Sequence, residues 1–403
     1  MSIFFSSAAK AIALIVSGTV TAVTAWSAAG APLPRWLPVS VVVEQEGELA
    51  ALIAELGAPL ARDRALAACR IGRMRGRDVS AAGEPLLALL SDGEPVESRL
   101  CRERGNWIGD RDEDSSPGRE AAIALERVGS PALDPLIGIL GGDREPGGDS
   151  AVAREHAAMA LGLMEESRAV ASLVAALDDD VEAVRARSAW ALGMIEDSAA
   201  VEPLGDALAD VSSRVRSQAA WALGMIEAAA AVPALSAALG DEAVEVREEA
   251  AWALGMIEAS SAVPGLTSAL QDESADVREQ AAWALGMIEA ATAVPGLTGA
   301  LRDQEADVRE QAAWALGMIE ASSAVPGLIG ALRDEDARVR EQAAWALGMI
   351  EDSAAVDALL DALEDEDNEV RKQAIWALMR CIDEDTADYE QLAAKLRRAL
   401  IGG

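Results

Sequence analysis

Histidine is almost absent from this chain: His156 is the single copy in 403 residues. Metal centres built from several imidazoles are therefore excluded, and Glu155-His156 stands as a lone pair. A lone histidine on the polar flank of a helix reads as a surface residue. Cysteine is nearly as scarce. Cys69, Cys101 and Cys381 are too few for a disulfide framework. Cys69 and Cys101 can pair if the chain is exported, but three small, partly buried thiols are the expectation. Phenylalanine and tyrosine are nearly missing too, with two and one against ten tryptophans. Strand-forming runs are rare and alanine is abundant, which points to helix. Basic residues number 34 against 68 acids, a net charge of -34. Such a surface repels phosphate backbones and anionic lipid, which sets nucleic acid aside and admits a basic or neutral partner. The same charge keeps an alanine-rich chain soluble.

Catalytic constellations are missing as well. No Ser/His/Asp or Cys/His set can be assembled, and no glycine-rich loop cradles a phosphate. Asp110, Asp112 and Asp114 alternate as in a calcium loop. Glycine at the sixth position and glutamate at the twelfth are lacking, so no metal is expected there. The chain thus reads as non-enzymatic and without a cofactor.

The N-terminus has a different character. Lys10 precedes "AIALIVSGTVTAVTA", fifteen uncharged residues, then "WSAAGA" and "PLPRWLP". A basic start, a short apolar centre and small residues match a secretory signal. The expected cleavage lies between Ser27 and Ala31. The stretch is short for a spanning helix and rich in Ser, Thr and Gly. The alternative is an uncleaved anchor. No cysteine follows to carry a lipid. Residues 1–31 are assigned to this signal or anchor and 32–43 to a linker. The expected location is periplasmic or extracellular, or at the inner membrane if the segment is retained.

What the chain has in plenty is one phrase. "VREQAAWALGMIE" starts at Val277 and again at Val308, with close copies at Val215, Val246 and Val339. Trp190, Trp221, Trp252, Trp283, Trp314, Trp345 and Trp376 follow one another at a constant step of 31. Asp179, Asp210, Asp241, Asp272, Asp303, Asp334 and Asp365 keep that step, as do Arg154, Arg185, Arg216, Arg247, Arg278, Arg309, Arg340 and Arg371. A fixed period of this size means stacked supersecondary units. In one unit, "SAVPGLTSAL" places Val263, Leu266 and Leu270 on one helical face, with Pro264 in the first turn. "QDESAD" breaks the pattern and "VREQAAWALGMIEA" is a second helix. Each unit is a helical hairpin, A then B. The Asp and Arg series are read as a structural, hydrogen-bonded ladder between turns.

Regular units fill 151–381. Degenerate ones fill 44–150, with B-like helices at Arg64–Gly72, Gly118–Gly129 and, just beyond, Arg154–Met164, where Met159 takes the tryptophan slot. Residues 44–56 are expected to cap the array. Two Gly/Pro-rich insertions, 92–118 and 141–150, read as loops. Residues 382–403 are expected to form a closing helix, with Lys395, Arg397 and Arg398 near its C-terminus.

The pattern D-x-x-x-x-V-R-x-x-A-A-x-A-L-G-x-I resembles the HEAT-like repeats of the bilin-lyase type, strongly over 150–381 and weakly over 58–150. The resemblance implies an all-α, right-handed α-solenoid, a superhelix of hairpins with the B helices on its concave side. Such repeats serve scaffolds and adaptors as well as chromophore lyases. Some hydroxylases with these repeats hold two irons on several His-Glu pairs, which Glu155-His156 cannot supply.

On a helical wheel that starts at Val277 and advances ~100° per residue, Ala281, Ala284, Leu285 and Ile288 share the core face. Trp283 falls near ~240° and Met287 near ~280°, off the core; Ala282 and Gly286 lie on the opposite flank. Glycine inside a helix costs about 1 kcal/mol relative to alanine. Its recurrence at Gly162, Gly193, Gly224, Gly255, Gly286, Gly317 and Gly348 demands a close neighbour. Gly162 has no tryptophan in its helix, and Met379 takes the glycine slot of the last. Each tryptophan is therefore expected over the glycine of the preceding repeat, from Trp190 over Gly162 to Trp376 over Gly348.

An indole so placed packs the joint and keeps an exposed face. The expected binding strip comprises the seven tryptophans with Met225, Met256, Met287, Met318 and Met349. Glu248, Glu249, Glu279, Gln280, Glu310, Gln311, Glu341 and Gln342 border it. The leading expectation is an exported monomeric scaffold that binds a protein or extended peptide there, touching membrane only through an uncleaved anchor. A glycan stacking on the indoles is a weaker candidate. A bilin lyase-like chromophore-attachment protein and a purely structural spacer are the alternatives. The signal-like start argues against the lyase, whose work is cytoplasmic.

Overall fold

The structure, a computed structural model, describes residues 39–97, 115–143 and 150–381. The expected signal, most of the linker, Cys101, the Asp110–Asp114 alternation and the closing helix lie outside the described residues. Among the described residues every regular element is a helix, and the one strand-like feature is a single antiparallel bridge, Val96 to Ser115. Two units emerge, Met1–Ala176 and Leu177–Gly403.

The second unit repeats one hairpin. Ser260–Ala262 makes a 3-10 turn that leads into helix A, Val263–Ala269; helix B follows as Ala275–Met287. Pro264 sits in the first turn of helix A, where its missing N–H has no bond to lose. Helix A is short, and the Thr267 hydroxyl donates back to the Val263 carbonyl at 2.7 Å. Val263, Leu266 and Leu270 face Val277, Ala281, Ala284 and Leu285, all buried. Each buried leucine contributes about 1.5–3 kcal/mol. Ile288 departs from the expected core face. It is the C-cap residue of helix B and is only half-buried, as are its counterparts Ile195 and Ile350. Alanines at 281, 282 and 284 let successive B helices stack along their length. Helices A reach the next repeat mainly through its 3-10 turn.

The expected ladder is present. Arg278 donates from Nε and Nη2 to the Asp303 carboxylate at 2.7 and 2.8 Å, and from Nη1 to the Asp272 carbonyl at 2.9 Å. Asp303 Oδ1 also accepts from the Glu305 N–H, which fixes the turn. The same fork joins Arg185 to Asp210, Arg216 to Asp241, Arg247 to Asp272, Arg309 to Asp334 and Arg340 to Asp365. The Arg185 hydrogen bond is the largest influence holding Asp210 below the usual carboxylate range. At Asp303 burial pushes the other way, and Arg278 with the turn N–H groups outweighs it.

One feature of helix B went unseen in the sequence. Glu196, Glu227, Glu258, Glu289, Glu320 and Glu351 end these helices at φ of 52–56°, the left-handed region that favours glycine. All six are exposed. A carboxylate at a helix C-terminus is also the wrong sign for the dipole. Ser188 is the other local misfit. It occupies an alanine position of the repeat, fully buried, with a hydroxyl that finds no partner.

The first unit holds the degenerate repeats. Its B-type helices, Ala61–Gly72, Pro117–Val128 and Ser150–Leu163, stack in sequence. The capping helix spans Val39–Glu55, starting earlier than 44. Where Ile123 replaces the indole, the close approach relaxes, and a methyl on Gly72 would lie 3.3 Å from the Ala124 Cα. Arg64 keeps the Nε contact of the fork, to Asp92 at 2.6 Å, but turns its Nη2 to Glu94 at 3.1 Å.

Two residues of this unit depart from expectation. His156 is buried rather than on the surface, and its Nδ1 lies 2.7 Å from the Leu90 carbonyl. Gly118 makes the room, since a methyl there would meet that nitrogen at 2.5 Å. Cys69 belongs to a disulfide rather than standing as a thiol. Cys381, in the second unit, is free and buried, and burial pushes its thiol up to about 11.

Candidate binding strip on the B helices

The strip is built by the joint between successive B helices. A methyl added to Gly286 would lie 2.6 Å from Trp314 Cζ3, 2.9 Å from the Ala315 Cα and 3.0 Å from the Ala315 Cβ. Gly193 meets Trp221 in this way, and Gly224 meets Trp252. Gly255, Gly317 and Gly348 do the same with Trp283, Trp345 and Trp376. All six pairs inside the second unit thus follow the expected offset of one repeat. Only glycine admits both the benzo edge and the neighbouring backbone.

The other side of each ring stays open. Trp190, Trp221, Trp252, Trp283, Trp314, Trp345 and Trp376 are all half-buried. Met225, Met256, Met287, Met318 and Met349, one turn further along their helices, are half-buried too. Between two indoles lies a shallow depression of about 290 Å³, lined by Trp283, Glu310, Gln311, Trp314 and Gln342. At this joint the structure brings two of the tryptophans together with Glu310, Gln311 and Gln342 of the border.

Charge divides the strip into rows. On one side run Glu248, Glu279, Glu310 and Glu341, half-buried near other carboxylates. Burial raises the pKa of each, and neighbouring acids add to it: Asp276 beside Glu248, Asp307 beside Glu279, Glu369 beside Glu341. At Glu310 burial also leads, but the next influence, Arg338, opposes it. Arg338 bridges Asp307 and Glu310 at 2.6 and 3.2 Å. Glu249 takes the position that is glutamine in the next four repeats, and burial, with Glu248 beside it, pushes it up to about 7. At the C-terminal ends of the same helices stand the exposed left-handed glutamates Glu227, Glu258, Glu289, Glu320 and Glu351.

Two arginines at the strip's ends were missed by sequence reasoning. Arg187 lies 5.5 Å from the centre of the Trp190 ring, and Arg380 lies 5.1 Å from that of Trp376. The signal was a broken series: Arg187 stands at the Gln280 position, and Arg380 at the Met349 position. Arg380 does more. Its Nε donates to the Gly348 carbonyl at 2.9 Å, and its Nη2 pairs with Glu351. Among the described residues, no cation stacks on the five central indoles. Among them too, no cluster of three or more His, Cys, Asp or Glu is placed to hold a metal, and no helix is long and apolar enough to cross a membrane.

Comparison with known proteins adds the family. The model for HEAT repeats matches over residues 147–224, 201–286, 232–317, 263–339, 294–379 and 325–397, more than half of the chain. No curated protein matches. Among solved structures, the CpcE–CpcF complex of phycocyanin lyase from Nostoc is 25% identical, over 57% of this chain and 94% of that one, at a TM-score of 0.37. Human deoxyhypusine hydroxylase is 27% identical, over 64% and 98%, at 0.30. The Kap95:Nup1 complex is 16% identical, over 88% of this chain and 54% of that one, at 0.62. The last likeness bears on fold alone, and it is to an all-α solenoid. With the 31-residue hairpins, the tryptophan–glycine joints and the Arg–Asp forks, the match places this chain in the HEAT-repeat family.

Proposed function

We propose that the chain is an exported, non-enzymatic scaffold that binds a protein or extended peptide along the tryptophan and methionine strip of its B helices. The observation that carries this reading is the run Trp221 to Trp345. These five indoles are fixed on one edge by glycine, open on the other, and without any cation stacked on them among the described residues. Packing alone requires the buried edge and leaves the repeated open face unused. Rigid, half-exposed aromatics beside adaptable methionines form the surface at which binding energy concentrates. The strip repeats with the fold, so an elongated partner uses more of it than a compact one.

Two features support export. One is the signal-like segment after Lys10. The other is the disulfide at Cys69, which suits an oxidising compartment. The concave placement of the strip, and a monomeric solenoid, belong to the same proposal.

The test is photo-cross-linking in intact cells from a benzoyl-phenylalanine placed at Met287, with Thr267 on helix A as the comparison site. The proposal expects one dominant adduct from 287 in the envelope fraction and none from 267. Equal adducts from both sites, or none from either, would remove the strip as a binding surface. Recovery of the chain in the cytoplasm with Met1 intact would remove the export.

A further inference from the structure

Arg380, in the last repeat, reaches an indole, a backbone carbonyl and an acid of the strip from within the chain. Its side chain leaves the position that is Met349 one repeat earlier. It then makes three contacts: its guanidinium lies over the Trp376 ring, its Nε donates to the Gly348 carbonyl, and its Nη2 pairs with Glu351. Two of these three partners belong to the preceding repeat.

The same three partners recur along the unit. Trp345 has Gly317 and Glu320, Trp314 has Gly286 and Glu289, and Trp283 has Gly255 and Glu258. In each, methionine stands where arginine stands at the end. Methionine is flexible and carries no charge, so a guanidinium from outside can share the ring face with it. In these three repeats the glycine carbonyl already accepts the N–H of the left-handed glutamate, as Gly286 accepts from Glu289 at 3.1 Å. A carbonyl oxygen retains a second lone pair. The carboxylate has no ion-pair partner: within this series Glu351 alone is paired among the described residues. A left-handed acid at a helix C-terminus is disfavoured twice over by local rules, yet it recurs at every joint.

We infer that the central joints are guanidinium sites, and that the strip's partner is an extended peptide carrying arginine at every third residue. The inference rests on the reading of the strip as a binding surface and names the chemistry that fills it. Arginine is preferred to lysine because its plane stacks on indole while its fork reaches a carbonyl and a carboxylate together. The period follows from geometry. Packed helices lie ~8–10 Å apart. A polyproline II chain rises ~3.1 Å per residue with three residues per turn, so every third side chain returns to one face after ~9 Å. A β-strand would turn every third side chain to the opposite face. The charge agrees, since the chain is -34 overall and the strip runs between two acidic rows.

The probe is a capped fifteen-residue peptide, Arg-Pro-Ala five times, titrated against the full mature chain at physiological salt and followed by tryptophan fluorescence and calorimetry. Its comparison has the same composition with the five arginines clustered. The periodic peptide is expected to bind about tenfold more tightly than the clustered one, and a lysine version more weakly than either. Glu258→Gln, Glu289→Gln and Glu320→Gln together should weaken the periodic peptide by roughly tenfold or more, with helicity unchanged. Met318→Arg should place the chain's own guanidinium against Gly286 and Glu289 and weaken binding as well. No binding by the periodic peptide, equal binding of the periodic and clustered peptides, or no effect of the glutamine variant overturns the inference. If those results come with a dominant cross-link from position 287, the strip is a binding surface for another chemistry. If the cross-link is also missing, both readings fail.

Discussion

Glycine to alanine should act with opposite sign at two positions of adjoining repeats. At Gly299, in helix A, an added methyl meets nothing within 4 Å. Alanine there relieves the entropic penalty of glycine in a helix and should stabilise by about 0.5–1 kcal/mol. At Gly286, in helix B, the same methyl would stand 2.6 Å from Trp314 Cζ3 and 2.9 Å from the Ala315 Cα. The indole can tilt; the Ala315 backbone moves only if the whole helix moves. Overpacking of this kind costs about 1–3 kcal/mol, against a helix gain of about 1, so the net loss should be on the order of 1–2 kcal/mol. A repeat array need not unfold in one step, so the assay is native-state hydrogen exchange read on the two helices of the joint, Ala275–Met287 and Ala306–Met318. Protection should fall there for Gly286→Ala and rise in helix A for Gly299→Ala. Trp314→Leu should recover part of the loss and leave the Ala315 conflict in place. Gains of equal sign at both glycines would refute the packing of tryptophan on glycine.

Three further outcomes follow from single residues. Ser188→Ala should raise stability by about 1 kcal/mol in denaturant unfolding, because it removes a buried hydroxyl without a partner. Arg278→Leu should lower stability by about 3 kcal/mol at pH 7, since it leaves Asp303 mostly buried without its counter-ion. The native pKa of Asp303 lies below its unfolded value, so the pair's contribution is complete above about pH 4 and is lost as pH falls through that lower value. The gap between wild type and variant should therefore close in acid. Glu249 has the reverse sign: its native pKa, about 7, lies above the ordinary carboxylate value. Its protonated form favours the fold, with stability complete below about pH 4 and lost as pH rises through 7. Glu249→Gln should stabilise at pH 8 and change nothing at pH 4.

Repetition made the joints legible. Seven glycines and seven tryptophans with unmatched ends can pair only with an offset of one repeat, and the six pairs inside the second unit obey it. The Arg278–Asp303 fork was legible for the same reason, as two charges kept in step. What escaped were residues whose meaning depends on geometry that a wheel does not carry. Ile288 falls on the core side of the wheel, but at the very end of helix B it has less of the neighbouring helices to pack against. Glu289 gave no sign of a left-handed turn, because glycine or asparagine is the usual mark. His156 sits among degenerate repeats, where the Leu90 carbonyl is 66 residues away and no local pattern joins the two. Arg380 was passed over as the end of a methionine series, though a single break in so regular a series is itself the signal.

The tryptophans are sealed on one edge and open, between acids, on the other. Collisional quenching of their fluorescence tests it directly, in a chain whose remaining tryptophans are removed by Trp26→Phe, Trp36→Phe and Trp107→Phe. Caesium, a cation, should be drawn to the strip by the two rows of carboxylates and should quench strongly at low salt; iodide should be repelled and quench little. Equal quenching by both ions, or quenching by neither, would rule out indoles open between the two rows.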